Sequence, residues 1–298
     1  LYPKNYKEFH MRDVTKDNIT EVFMGYVGND VNPRLREVIG SLVKHLHAFA
    51  KDISLTHAEW EQGIDFLERV GDISDSERHE FVLLSDVLGL SSLVDMLHNT
   101  PDGTSSSVLG PFHIQGAPAL EIGGDMKQDF NGTVMLVEGV VKDTEGNLIE
   151  GATVDIWQTA PNGLYSSQDP DQNTYSFHGL QTTGFDGRYS FTSAKPVEYP
   201  VPTDGPVGEI LNGLGRHPMR PSHLHYIVKA DGYKSLVTEI FAEGDTYLDQ
   251  DTVFGVREDL VMTYKDMPAD SFPDGYALSG KVDQAYVRVD FDLVLVKS

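Results

Sequence analysis

Residues 137–165 read VEGVVKDTEGNLIEGATVDIWQTAPNGLY. An apolar, β-branched run ends at Lys142, and Asp143-Thr144-Glu145-Gly146-Asn147 follows as a dense turn signal. A second run, Thr153 to Trp157, resumes the alternation. Strand, turn and strand in so short a space mark β-structure. Further strand candidates lie at Thr133–Lys142, Arg188–Phe191, His223–Lys229, Leu236–Phe241 and Ala285–Val296. Many short strands separated by Gly, Pro and Asp predict a two-sheet sandwich.

Upstream the period changes. Residues 15–99 read as helical. Asn32-Pro33 is a cap and first helical residue, with Leu35, Val38, Ile39, Leu42, Val43, Leu46 and Phe49 following at helical spacing. Thr56 with Glu59, and Ser74 with Glu77, are capping-box pairs. The run FVLLSDVLGLSSLVDML, Phe81 to Leu97, is apolar on several faces, as core or a subunit contact would be. The fold expected is mainly β with an α-helical N-terminal part. The expected domains are 1–104, helical and linking, and 105–298, the sandwich. The connection 100–128 contains SSSVLGPF, Ser105 to Phe112, which we read as functional.

The chain has 298 residues, 40% of them hydrophobic, enough for a substantial core. Its net charge of −23 argues against nucleic acid or an anionic membrane surface as partner. With no cysteine there is neither a disulfide nor a thiolate metal site. No run approaches the ~18 apolar residues of a membrane span, and cytoplasmic is the expected location.

His223 and His225 form a His-x-His pair on a strand candidate, so both point to one face. Imidazoles alone do not choose among zinc, copper, iron and nickel. Tyr165 and Tyr199 narrow the choice. A phenol ionises near pH 10, so two tyrosinate ligands require a strongly Lewis-acidic ion such as Fe(III). Two phenolates and two neutral imidazoles leave a ferric ion with a net charge of about +1 and a position open for chemistry. An isolated His-x-His pair is more often structural, and an isolated Tyr more often core or rim. On residues alone, a zinc hydrolase or a non-catalytic binding module therefore also stands.

Two long segments, 137–165 and GRHPMRPSHLH at 215–225, closely resemble the two signatures of the intradiol ring-cleavage dioxygenases. Tyr199, opening YPVPTDGP, falls where that family has its other tyrosine ligand. Leu148 departs from a common proline, and Glu239 stands where catechol-type members have glutamine. The resemblance spans about residues 20–260. It implies one non-haem Fe(III) per chain held by Tyr165, Tyr199, His223 and His225, and an aromatic diol or triol and O2 as substrates. Tyr199 would leave the metal when substrate binds and accept a substrate proton. Arg220 would stabilise negative charge developing on the ring. Glu239 is either an acceptor for a ligand imidazole or a solvated strand residue, and His217 is structural. The helical part is implied to form a homodimer, with a phospholipid able to occupy that interface.

Within the family, VLGPF (108–112) and DTVFGV (251–256) resemble the hydroxyquinol type, with Thr252 and Val253 replacing a bulkier pair. The implied substrate contacts are Leu83, Asp86, Val108, Leu109, Gly110, Pro111, Phe112, Pro200 and Val253. Asp86 is either an acceptor for a third ring hydroxyl or a solvent-facing helix residue. Hydroxyquinol (benzene-1,2,4-triol) is the expected substrate, cleaved between the 1- and 2-hydroxyl carbons to 3-hydroxy-cis,cis-muconate, which tautomerises to maleylacetate. Catechol or a substituted catechol, giving cis,cis-muconates, is the alternative.

Overall fold

In the computed structural model, which describes residues 11–28, 30–76, 78–127 and 131–298, helix starts coincide with their caps. The Asn32 side chain accepts hydrogen bonds from the Arg34 and Leu35 N–H groups at 2.8 and 3.2 Å. Thr56 and Glu59 close a reciprocal capping box, Thr56 N–H to Glu59 Oε2 at 2.8 Å and Glu59 N–H to Thr56 Oγ1 at 3.3 Å. Glu77, half of the other expected box, lies outside the described residues.

The chain divides into two compact units, Leu1–Glu68 and Arg69–Ser298. The first contains α1 (Ile19–Tyr26), α2 (Pro33–Asp52) and most of α3 (His57–Ile73). One face of α2 leaves Leu35, Leu42, Leu46 and Phe49 more than half exposed. Among the described residues no single helix is long and apolar enough to cross a membrane.

The second unit opens with α4 (Glu80–Val87) and α5 (Leu90–His98), which bend by 75°. The break is Leu88-Gly89, where Gly89 has φ +75°, so the apolar run 81–97 is two short helices and not one. Next come β1 (Gly124–Asp125), β2 (Val134–Asp143), β3 (Thr153–Trp157), β4 (His178–Thr182), β5 (Arg188–Ala194) and β6 (Tyr199–Pro200). After α6 (Pro206–Gly213) follow β7 (Met219–Arg220), β8 (His223–Lys229), β9 (Leu236–Ala242), β10 (Val261–Met262), β11 (Lys265–Met267), β12 (Tyr286–Asp290) and β13 (Leu293–Leu295). The last expected strand is thus interrupted at Phe291-Asp292. The Phe291 N–H donates to the Glu138 carbonyl and Asp292 Oδ1 accepts from the Val140 N–H, so both residues bind β2 out of ladder register.

One sheet runs β1-β5-β2-β12-β11, with β13 also on β2; the other runs β10-β9-β8-β3-β4; β6 and β7 form a separate ribbon. Val137, Tyr189, Phe191 and Val289 of the first sheet meet Val154, Ile156, Leu224, Tyr226 and Ile240 of the second in one fully buried cluster. The sandwich follows from the period of two: alternate residues of β3 and β8 fill the core. The intervening ones, Asp155 and Trp157, His223 and His225, fall on the opposite face. The turn at Asp143 forms as its sequence predicts, Asp143 Oδ1 accepting from the Glu145 and Asn147 N–H groups and Gly146 taking φ +85°.

Candidate metal centre

Strand register places one row of side chains across the outer face of the second sheet. His178 of β4 pairs with Trp157 of β3, Trp157 with His225 of β8, and His225 with Glu239 of β9. His223 lies two residues from His225 on the same face. The β6–β7 ribbon pairs Tyr199 with Arg220, and Tyr165 enters from the loop after β3. Phe112, from the SSSVLGPF segment, stacks on the Tyr165 ring at 4.6 Å. All these side chains are buried, although the strand face that bears them lies outside the sandwich core.

Four donor atoms converge. Tyr165 Oη lies 3.1 Å from Tyr199 Oη, 3.0 Å from His225 Nε2 and 3.5 Å from His223 Nε2. His223 Nε2 is 3.1 Å from His225 Nε2 and 3.5 Å from Tyr199 Oη. Atoms bound ~2 Å from a common ion stand about 3 Å apart, so the set fits a single metal. The ring of His223 is oriented for it: Nδ1 donates to the Pro221 carbonyl at 2.7 Å, leaving the Nε2 lone pair for the centre.

Electrostatics agree with a highly charged cation. Burial, and then the neighbouring Tyr199, drive the Tyr165 phenol well above its ordinary range, and burial raises Tyr199 as well. Neither phenolate forms here without a strong positive charge beside it. Burial, reinforced by Arg220, holds His223 down to about 3; burial also takes His225 well below its ordinary value. Both imidazoles are therefore neutral, as ligands must be.

Beneath the donors lies a buried ion network. Arg220 NH1 and NH2 donate to the two Glu239 oxygens at 2.8 and 3.1 Å, and Nε and NH2 donate to Asp251 at 3.0 and 3.2 Å. Burial works against the Arg220 charge, but Asp251 and Glu239 outweigh it. NH1 also lies 3.0 Å from His223 Nε2. The Ser107 hydroxyl is 2.6 Å from Glu239 Oε2 and 2.7 Å from the Gly255 carbonyl. His223, His225 and Glu239 form one of two groups among the described residues able to hold a metal. Glu239, with both oxygens engaged by Arg220 and Ser107, is placed to support the histidines from below.

Of the expected substrate contacts, Leu83, Val108 and Val253 join Val201, Val207 and Leu211 in one buried cluster between α4, α6 and the 253 loop. Asp86 is buried in α4, and its Oδ1 has no hydrogen-bond partner. Burial raises its carboxyl to about 6. Gly110 takes φ +72° directly beside His225, and Pro111 is buried. Pro200 is exposed and borders, with Phe112, a cavity of about 490 Å³. Leu109 turns outward, 41% exposed. His217 accepts from the Met219 N–H and packs on Tyr247, a structural role.

Three further residues contribute, Ser107 from the segment read as functional and two that no local signal marks. Trp157 lies flat against His225 at 4.7 Å, and Asp251 and Ser107 complete the ion network. Trp157 sits in the first signature and Asp251 opens DTVFGV, but nothing local marks either as a partner of the site.

Two family models match this chain: the catechol dioxygenase N terminus over residues 32–105 and a dioxygenase model over 108–296. The chain is 42% identical to the 6-chlorohydroxyquinol 1,2-dioxygenase of Cupriavidus pinatubonensis, across 96% of this chain and 99% of that protein. It is 44% identical to the hydroxyquinol 1,2-dioxygenase of Nocardioides simplex across 89% of each. The crystal structure of hydroxyquinol 1,2-dioxygenase from Pseudomonas putida superposes with a TM-score of 0.82 at 40% identity, covering 95% of this chain and 97% of that one. Similarity of this extent leaves no room for a zinc hydrolase or a non-catalytic module: the chain belongs to the intradiol ring-cleavage dioxygenases, non-haem Fe(III) enzymes acting on aromatic diols or triols with O2.

Proposed function

We propose that the chain cleaves hydroxyquinol between its 1- and 2-hydroxyl carbons, giving 3-hydroxy-cis,cis-muconate and, by tautomerisation, maleylacetate. The observation that carries this reading is Asp86, a buried carboxylate whose Oδ1 lacks a partner, on the helix that also brings Leu83 into the cluster with Val108 and Val253. A third ring hydroxyl satisfies that oxygen; catechol leaves it unpaired, a difference of about 1–3 kcal/mol. Two proteins over 40% identical carry a hydroxyquinol in their names, which agrees.

Tyr165, Tyr199, His223 and His225 are the residues we assign to hold the iron. Bound as Fe(III), the ion supplies Lewis acidity that draws electron density from the diolate. Tyr199, as the phenolate, accepts a substrate proton, its proton affinity raised by burial. Arg220, charged and 3.0 Å from His223, offsets negative charge gathering on the ring. Gly110 and Phe112 close over His225 and Tyr165 and exclude water.

We assign residues 1–104 chiefly to association and 105–298 to catalysis, with α4 lending Asp86 to the pocket. The exposed apolar stripe of α2 supports a homodimer, with a phospholipid as its further occupant. We place the enzyme in the cytoplasm; the absence of cysteine and of any membrane-length helix among the described residues is in keeping with that.

The test is kcat/KM for hydroxyquinol against catechol, with the product identified by NMR. A higher value for the triol is expected. Equal or better turnover of catechol removes the substrate assignment and leaves the family intact. Iron analysis of Tyr165→Phe and His223→Ala, both expected to lose iron and visible absorbance, tests the ligand set separately.

A further inference from the structure

Trp157 separates the candidate iron centre from a second group of ligand atoms. One face of its ring stacks on His225 at 4.7 Å, and His113 meets the ring edge-on at 4.6 Å. His113 follows Phe112, Asp155 shares the outer face of β3 with Trp157, and His178 opens β4 as the register partner of Trp157.

His178 Nε2 lies 2.7 Å from Asp155 Oδ1, and His113 Nε2 lies 3.0 Å from Asp155 Oδ2. The three ligating atoms fall within 4.8 Å of one another. Two imidazoles turned by the same nitrogen toward one carboxylate form the proton-bridged counterpart of a His₂-carboxylate metal site. Moving each bridging proton to Nδ1 of its own ring, a change of tautomer, frees the two Nε2 lone pairs beside the anion. The iron donors, 3.0–3.5 Å apart, converge in the same manner. Burial opposes the Asp155 charge, but hydrogen bonds from His113 and His178 hold its carboxyl down to about 2. The side chains of His113 and Asp155 are 15% and 18% exposed and that of His178 is 4%, so the group opens to solvent on the side of His113 and Asp155.

We propose that His113, Asp155 and His178 form a second metal site, distinct from the iron centre, for a divalent ion of the zinc, nickel or copper class. Two imidazoles and one carboxylate are a donor set suited to zinc with a position left for water. Calcium and magnesium, which require mostly oxygen ligands, fit it poorly. At equal geometry copper(II) binds more tightly than zinc. The inference stands independently of the substrate assigned above.

The experiment uses iron-loaded protein freed of loose metal on a chelating resin, then titrated calorimetrically with zinc(II) and assayed for bound zinc and iron. Wild type and the control His57→Gln, an exposed histidine on α3, are expected to take up about one zinc per chain beyond iron. His113→Gln, His178→Gln and Asp155→Asn are expected to bind zinc at least about tenfold more weakly while keeping iron and colour. No zinc uptake by wild type overturns the site; undiminished uptake by the three variants also overturns it and leaves only adventitious binding to surface histidines. Should the variants lose their colour through misfolding, diethyl pyrocarbonate labelling of wild type decides. Zinc shielding of His113 and His178 supports the site, and equal labelling with and without zinc refutes it.

Discussion

Glu239 stands directly across from His225 in the β8–β9 register, its Oε1 3.2 Å from His225 Nδ1, and both side chains are buried. The contact is electrostatic and not an aligned hydrogen bond, since Nδ1 has no hydrogen-bond partner. Glu239 also holds Arg220, so one carboxylate supports both a candidate iron ligand and the only cation of the network.

Replacing that charge is informative. Glu239→Gln keeps the volume and one accepting oxygen, but removes the anion beside His225 and turns the other oxygen into a donor. We expect it to fold, retain iron and show a shifted visible absorption band. Glu239→Ala leaves Arg220 with Asp251 alone and should cost about 3 kcal/mol of stability, measured by denaturant unfolding. If both variants match wild type in spectrum and stability, Glu239 has no supporting role.

Gly110 is fixed by two requirements at once. At φ +72° an L side chain is strained, and a Cβ there would sit 3.3 Å from His225 Cε1. Gly110→Ala should lose about 1–2 kcal/mol of stability and weaken iron retention. Leu109→Ala, at the outward-facing neighbour, should change stability by less than about 0.5 kcal/mol. Thermal unfolding and iron content of the two proteins check the contrast.

Asp86→Ala should narrow the preference for hydroxyquinol over catechol by about 1–3 kcal/mol, roughly 5- to 150-fold in the ratio of kcat/KM. Asp86→Asn keeps an acceptor and should lose less. An unchanged ratio in Asp86→Ala would reject this residue as the discriminator while sparing the other pocket contacts.

His223, which burial and Arg220 depress from its ordinary 6.5 to about 3, contributes to the pH dependence of the iron-free protein, and His225, also lowered by burial, acts in the same direction. The unfolded chain binds the proton more readily, so the stabilising contribution is complete above about pH 6.5. It is lost progressively as pH falls toward 3. Unfolding midpoints across that window should decline for wild type and decline less for His223→Gln. Parallel profiles would show that His223 is not the group responsible.

Association through the helices is tested on α2. Leu42 and Leu46, each about half exposed on its apolar face, become charged in Leu42→Glu with Leu46→Glu. Light scattering should then report a monomer of about 33 kDa where wild type gives twice that mass. A wild-type monomer at low concentration would contradict the assignment.

Local chemistry made much of the fold legible. The Asn32 and Thr56 caps, the turn at Asp143 and the alternation of β2, β3 and β8 depend on neighbours within a few residues, so the sequence carries them directly. The pairing of Tyr165 and Tyr199 with His223 and His225 was legible for another reason: two long signature-like segments hold Tyr165 and the histidines, YPVPTDGP supplies Tyr199, and a His-x-His pair shares one face of any strand. β4 was missed because HGLQT offers no apolar alternation; its pairing with β3 stabilises it. The outward turn of Leu109 was equally hidden, since its neighbours Val108 and Gly110 are both buried.

What the sequence by itself determined is the set of local conformations and, through its resemblance, which four oxygen- and nitrogen-bearing side chains to propose as donors; the fold brings those four together. Tertiary structure alone decided the company they keep. Arg220 meets Glu239 and Asp251, 19 and 31 residues away, and His113 meets Asp155 and His178 across the sheet. Such contacts are set by strand order and by chain folded over a sheet face. Neither is encoded in the few residues around any one of the partners, because a charge finds its counterion through space and not along the chain.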